Sequence, residues 1–445
     1  MIATDFVAAL RAAAPYAHAH HGRVFVIAFG GEAAEQPADQ PPPEEQGGEA
    51  QPQEQQQGTR QVSGSDRTGV TDDSITVAFH APVTGAAPLP AESFREARDL
   101  YWRWQAEEKG RTFLGRSSVE VLFQDDKYDP ANAQQVCQQL AAEAFMVAGG
   151  GGTDQIQACG QLAGVRSFPY FSAGVTEAGL QDNPWYFASS MTYRQQGVLL
   201  AEYIAANHPD QKFATVVTQT ANFDDAVQGF ATGVEAAGIQ GNYVAQLRHP
   251  KGDNSWYNSY AQELDGKGVE VVYILTSPVD YIQFAQQAAQ SGYGPFDFVG
   301  VGVSKGLNAV LASGCPSVGG GVFFSPFPGL DWARDNVPEF FQASAKFGTV
   351  PDDLALALWG INKQLDQMFQ KYEQTFGTDL TREDFRALVE GAGPYSTGIF
   401  PDIAFSPDNH FGGQSVHVLR ANCDERNPES GDFEHQTVAT FATGF

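Results

Sequence analysis

The sequence predicts an α/β protein of two doubly wound parallel-sheet lobes joined at a hinge. Three observations carry this expectation. From residue 74 onward short apolar strands alternate with amphipathic helices, the pattern of parallel sheets with right-handed crossovers. The alternation runs through two series, the second opening with a helix over 193–207. At 445 residues the chain also exceeds what one hydrophobic core usually organises.

The stretch on which the first series turns is Ala148 to Thr176, AGGGGTDQIQACGQLAGVRSFPYFSAGVT. An apolar run, Phe145 to Ala148, ends in Gly149–Gly152, and Thr153 stands at the expected helix N-cap. A second short strand, Phe168 to Phe171, ends in the loop Ser172 to Thr176. Both loops fall on the carboxyl edge of a parallel sheet, where open α/β sheets bind ligands. A helix start opened by glycines and a hydroxyl offers unpaired N–H groups and the positive end of a dipole, suited to a carboxylate. The loop lacks the Gly-Lys-Ser/Thr ending of a phosphate loop, which argues against a nucleotide.

The remaining elements follow in order. Residues 1–32 read as a helix, a turn and a strand, RVFVIAF, with an apolar run broken by His18, His20, His21 and Arg23, unlike a secretory signal. Residues 33–68 are Pro-, Gln- and Glu-rich and read as a disordered tether. A strand over 74–80 and a helix over 91–109 open the first series, with Phe94, Leu100, Tyr101 and Trp104 as core. A strand over 119–124 and a helix over 129–144 complete it. The second series places strands at 212–218, 243–247, 269–275 and 296–301, with helices at 222–237, 255–264 and 279–291 between them. Helices over 352–376 and 381–390 and closing strands at 403–405 and 414–419 end the chain.

Composition excludes several classes. With 53 acidic against 26 basic residues the net charge is -27, unsuited to nucleic acid or an anionic membrane surface. No apolar run is long enough for a membrane-spanning helix. The four cysteines form no CxxC or Cys/His cluster, which counts against zinc. Cys137 and Cys159 lie on helices that neighbour each other in a doubly wound sheet, so a bridge between them is geometrically reasonable, and Cys315 with Cys423 is the remaining pair. Four buried reduced thiols stay open as the alternative. Bridges would place the protein outside the cytoplasm.

Taken together, GVTDDSITVAFHAPVTGA, VEVLFQDDKYDPANAQQVCQQL, GGGGTDQIQAC, YFSAGVTEAGL and SPDNHFGG resemble the type I periplasmic binding proteins, in particular the leucine/isoleucine/valine-binding family of branched-chain amino acid ABC transporters. The resemblance covers residues 69–445. It implies an N-terminal lobe from 69–193 and 326–395, a C-terminal lobe from 194–325 and 396–445, and hinge closure over a small ligand. It further implies an extracytoplasmic, monomeric protein without cofactor, metal or enzymatic activity, whose partner is an ABC transporter permease. Carried over by position, the ligand contacts fall on Gly152, Thr153, Gly174, Thr176, Phe223, Ser277 and Gly302. The acidic residue that holds a ligand ammonium should fall near Gly302, but GVGVSK has no carboxylate; Asp224, Asp225 or Asp280 could supply it from nearby. The carboxylate half of the pocket is therefore expected and the ammonium half is in doubt, so the small-molecule ligand is an amino acid or, as plausibly, another small carboxylate or amide. A separate stretch, APYAHAHHGRVFVIAFGGE, resembles the opening of N-acetylglutamate synthases, which fits a gene junction or a misassigned start. An enzyme drawn from that resemblance lacks every further motif it would need, and a sensor ectodomain is the other alternative.

Overall fold

A computed structural model describes residues 60–173, 177–428 and 430–445. The N-terminal segment 1–32, most of the tether, Gly174 and Thr176 lie outside the described residues.

Two sheets organise the chain. The first holds β1 Ser74–Ala81, β2 Ser118–Asp125, β3 Met146–Gly149, β4 Tyr170–Ser172 and β5 Tyr186–Ala188, all parallel, in the order β2-β1-β3-β4-β5. The second holds β6 Phe213–Gln219, β7 Tyr243–Pro250, β8 Val271–Leu275, β9 Asp297–Val301, β10 Val322–Ser325, β11 Val416–Arg426 and β12 Phe433–Ala442, in the order β12-β11-β10-β9-β8-β6-β7. Its strands from β6 to β10 repeat the connectivity of the first sheet, and β11 and β12 add an antiparallel edge. Each parallel set has a point where strand order reverses, between β1 and β3 and between β6 and β8.

Both sheets are covered on both faces, as parallel sheets require. Phe79, Phe171 and Phe187 on one face of the first sheet pack with Trp359 and Phe369 of the Asp353–Phe376 helix. Val147, Tyr170 and Tyr186 face the Pro130–Glu143 and Thr153–Arg166 helices. Val216, Ile274 and Phe323 of the second sheet pack on Tyr281 and Phe284 of the Pro278–Ser291 helix. Two disulfides, Cys137–Cys159 and Cys315–Cys423, have Cα separations of 5.8 and 5.5 Å, and no described cysteine is free.

Several expectations are corrected. The helix over 91–109 divides into Ala91–Ala97, Leu100–Arg103 and a wider π turn, Trp104–Glu108. Adjacent Leu100, Tyr101 and Trp102 are all buried, more than one stripe of a straight helix can cover. The N-cap before the glycine-rich loop's helix is Gly152, with Thr153 the first helical residue. Residues 60–68 are not a free tether: Ser63 and Gly64 donate to Asp384, and Arg382 bonds Asp66. Ile403 forms only isolated bridges, to Tyr395 and Gly413, while Phe400, Ile403 and Phe405 join the first sheet's core. Phe411 bridges β5 at Ala188, so this part of the segment assigned to the second lobe packs with the first. Strands β10 and β12 and the helices Asn308–Gly314, Leu330–Asn336 and Pro338–Phe347 add to the elements that the sequence pattern predicts.

Candidate functional site

A cavity opens at the reversal point of the first sheet. Its walls come from the ends of β1 (Phe79 to Ala81) and β3 (Ala148, Gly149), from Gly150–Thr153, and from the Asp353–Phe376 helix. Ser304 and Leu307 close it from the strand ends of the second sheet, and Tyr193 from the helix that leads there. Counting its open mouth, it holds ≈ 970 Å³ of empty space.

The glycine loop forms because side chains do not fit. Gly150 has φ +92°, in the left-handed region, and a Cβ there would lie 2.2 Å from Ile156 Cγ1. A Cβ on Gly151 would meet Pro82 and Leu89 at 2.7 and 2.9 Å. The backbone therefore approaches the cavity unshielded. Among the described residues, the N–H groups of Thr153, Asp154 and Gln155 have no acceptor, and Gly152 supplies no side-chain cap. Gln155, 1% exposed, keeps both amide atoms unpaired, and its Oε1 would lie 2.1 Å from a Cβ on Gly152. An unsatisfied helix end and an unpaired buried amide beside a cavity make a hydrogen-bonding site.

The sequence-derived contacts are placed as follows. Gly152 and Thr153 line the cavity. Phe223 does not; it packs on Tyr193, centroids 6.0 Å apart, and Tyr193 lines the wall. Ser277 caps the Pro278–Ser291 helix, accepting from Asp280 N and donating to the Asp280 carboxylate. Gly302, φ +99°, leaves no room for a side chain because a Cβ there would reach Tyr193 Oη at 2.4 Å. Ser304, two residues on, is the wall residue.

Polar groups around the cavity carry no local sequence signal. His80, fully buried, bonds Asp126 at 2.9 Å and Tyr170 Oη at 2.8 Å, and this chain sits beneath Gly149, whose carbonyl is 3.4 Å from the same Oη. His80 also lies close to Cys137 and Cys159, but their sulfurs are joined to each other and are not thiolate ligands. A lone histidine in SITVAFH gives no sign of an aspartate 46 residues away. Among the described residues Lys305, 2% exposed, has only the Thr276 carbonyl at 3.4 Å, and burial pushes its pKa down to about 8. No Asp, Glu, Lys or Arg side chain lines the cavity among the described residues.

Beside the cavity the two sheets' loops meet. Asp154 accepts from Asn222 Nδ2 at 2.7 Å, Thr220 Oγ1 at 3.0 Å and Lys251 Nζ at 2.6 Å. The first helical turn of one reversal point thus grips the loop after β6 at the other.

Two doubly wound lobes facing each other across a chamber at the reversal points define a two-lobed solute receptor. The chain belongs to the periplasmic binding protein family, whose model matches residues 74–428. Its fold is similar to a fatty acid ABC transporter substrate-binding protein from Thermomonospora curvata, with TM-score 0.69 and 17% identity over 85% of this chain and 95% of that one. It is similar also to a solute-binding protein of an ABC transporter from Rhodopseudomonas palustris BisB5 in complex with 3,4-dihydroxybenzoic acid, TM-score 0.66 and 19% identity over 84% and 98%. A leucine-binding protein from Thermotoga maritima MSB8 gives TM-score 0.64 and 16% identity over 82% and 98%. No curated protein sequence matches the chain.

Proposed function

We propose that the protein is the extracytoplasmic receptor of an ABC importer and that it binds an organic carboxylate lacking an ammonium group. The observation that supports this most is the pairing of an unsatisfied helix N-terminus with a cavity that, among the described residues, presents no carboxylate. The carboxylate would accept from the Thr153–Gln155 backbone and the Thr153 hydroxyl. An amino acid would also bring a cation, and the aspartates that could meet it are engaged elsewhere. Asp224 pairs with Arg248, Asp225 with Arg194, and Asp280 with Ser277 and Tyr257. An ammonium enclosed without a counter-charge would cost several kcal/mol.

Among the solutes for which similar folds are named, fatty acids and hydroxybenzoates fit this charge pattern, and leucine does not. The two disulfides suit an oxidising compartment. Closure over the ligand would produce the form that a permease recognises. The test is a thermal-shift screen of organic acids, the matching amides and amino acids, with Thr153→Ala beside the wild type. A ligand at a hundred times its Kd stabilises by about 2.7 kcal/mol. Acids should raise the melting point and the variant should lose the shift; a shift by amino acids alone would overturn the reading.

A further inference from the structure

The cavity is chemically uneven. Its polar groups are Thr153, Ser189, Tyr193 and Ser304 with the glycine-loop backbone, in the loops and helix starts beyond the strand ends, and His80 and Ser172 at the strand ends themselves. The wall against the Asp353–Phe376 helix is apolar: Phe94, Leu354, Ala357, Leu358, Ile361 and Phe400 line it, and the backbone of that helix is internally bonded. All but Ile361 belong to the buried core of the first lobe, so this part of the chamber enters the lobe rather than staying between the lobes.

We propose that the ligand is a monocarboxylic acid with an unsubstituted aliphatic chain, its carboxylate on the Gly149–Thr153 loop and its chain against the Asp353–Phe376 helix inside the first lobe. This rests on the receptor reading above and narrows its ligand. A chain entering that wall meets carbon on each of these six side chains and loses only water. A ring hydroxyl placed there would be buried with no side-chain acceptor, weakening binding on the order of ten- to a hundredfold. The carboxylate end fits the loop because Thr153, whose N–H has no acceptor among the described residues, lines the polar end, and the apolar wall has no free donor to offer.

The experiment is isothermal titration of the full chain, freed of carried-over ligand by denaturation and refolding, with butanoate, octanoate, 1-octanol, 4-hydroxybenzoate and leucine. Octanoate should bind at least tenfold more tightly than butanoate or 4-hydroxybenzoate, and octanol should bind far more weakly than octanoate. Ile361→Phe should cut octanoate affinity about tenfold, because Ile361 is only half-buried and a larger ring there fills the chamber. A far-UV circular dichroism spectrum and a ligand-free melting point like the wild type's show that the variant is folded. Octanoate affinity no better than that of butanoate, or unchanged in Ile361→Phe, overturns the proposal, as does tighter binding of 4-hydroxybenzoate. In those cases an acid still binds and the receptor reading stands. If no acid binds the wild type, both fall.

Discussion

Lys251 donates to Asp154 across the cleft at 2.6 Å, joining the loop after β7 to the first turn of the Thr153–Arg166 helix. Thr220 and Asn222 bond the same carboxylate. Burial raises the pKa of Asp154, but the hydrogen bonds from Lys251, Asn222 and Thr220 outweigh it and hold the group below the usual carboxylate range. The grip is therefore present above the unfolded value and lost as pH falls through the lower folded one. Because the ion pair is partly exposed, its net contribution is about 1 kcal/mol. Asp154→Ala should weaken ligand binding roughly fivefold and enlarge the liganded protein's radius of gyration in small-angle scattering. Unchanged affinity and radius would show that the contact does not favour closure.

Asp353 joins two helix starts. Its carboxylate accepts from the Asn308 N–H at 2.5 Å and from Leu354 N at 2.9 Å. Burial, followed by the charge of Asp352, pushes its pKa up to about 7. A raised carboxyl contributes stability that is complete below its unfolded value and lost as pH rises through 7. Asp353→Asn keeps an acceptor and removes the charge. Its unfolding free energy should therefore change less than the wild type's between pH 4 and 8. The difference should be on the order of a few kcal/mol at most, since tenfold in proton affinity is worth about 1.4 kcal/mol. Parallel urea-unfolding profiles for the two proteins would contradict this.

Lys305 titrates the other way. A buried lysine held at about 8 penalises the fold below that pH, and the penalty fades as pH rises toward the unfolded value. Lys305→Met should stabilise the ligand-free protein at pH 7 by about 1–2 kcal/mol. Urea unfolding should show that gain shrinking as pH rises above 8; a gain that does not change with pH would contradict it.

The bridges should differ in worth. Cys315–Cys423 spans 108 residues and Cys137–Cys159 spans 22. Chain-entropy reasoning gives ~5 and ~3 kcal/mol as ceilings. Double serine replacement of the longer bridge should therefore lower urea stability more than replacement of the shorter one. The reverse order would place their main effect in native packing.

Much of this architecture is legible locally. Strand ends such as Phe79 and Ala148 and the glycine loop are adjacent in sequence to the elements they terminate, so the parallel sheets and the loop can be read. A hydroxyl is the commoner N-cap, which points to Thr153, whereas here glycine serves and Thr153 begins the helix. Ile403 to Phe405 has the composition of a strand, but the segment is used to fill the first lobe's core. β12 has no such signature, because it is an edge strand with few fully buried side chains. The apolar wall is not readable either. LALALW marks a buried helix, yet nothing local says which sheet it covers or that a chamber separates them. The bond between His80 and Asp126, like that between Asp154 and Lys251, joins residues that only the fold brings together.

The most direct measurement compares octanoate with its methyl ester by titration calorimetry on the refolded full chain. The two share the aliphatic chain and differ in the charge that the Thr153–Gln155 N–H groups would receive. Tight octanoate binding with at least a tenfold loss for the ester is the predicted result. Equal binding of acid and ester would contradict a carboxylate held at the glycine loop.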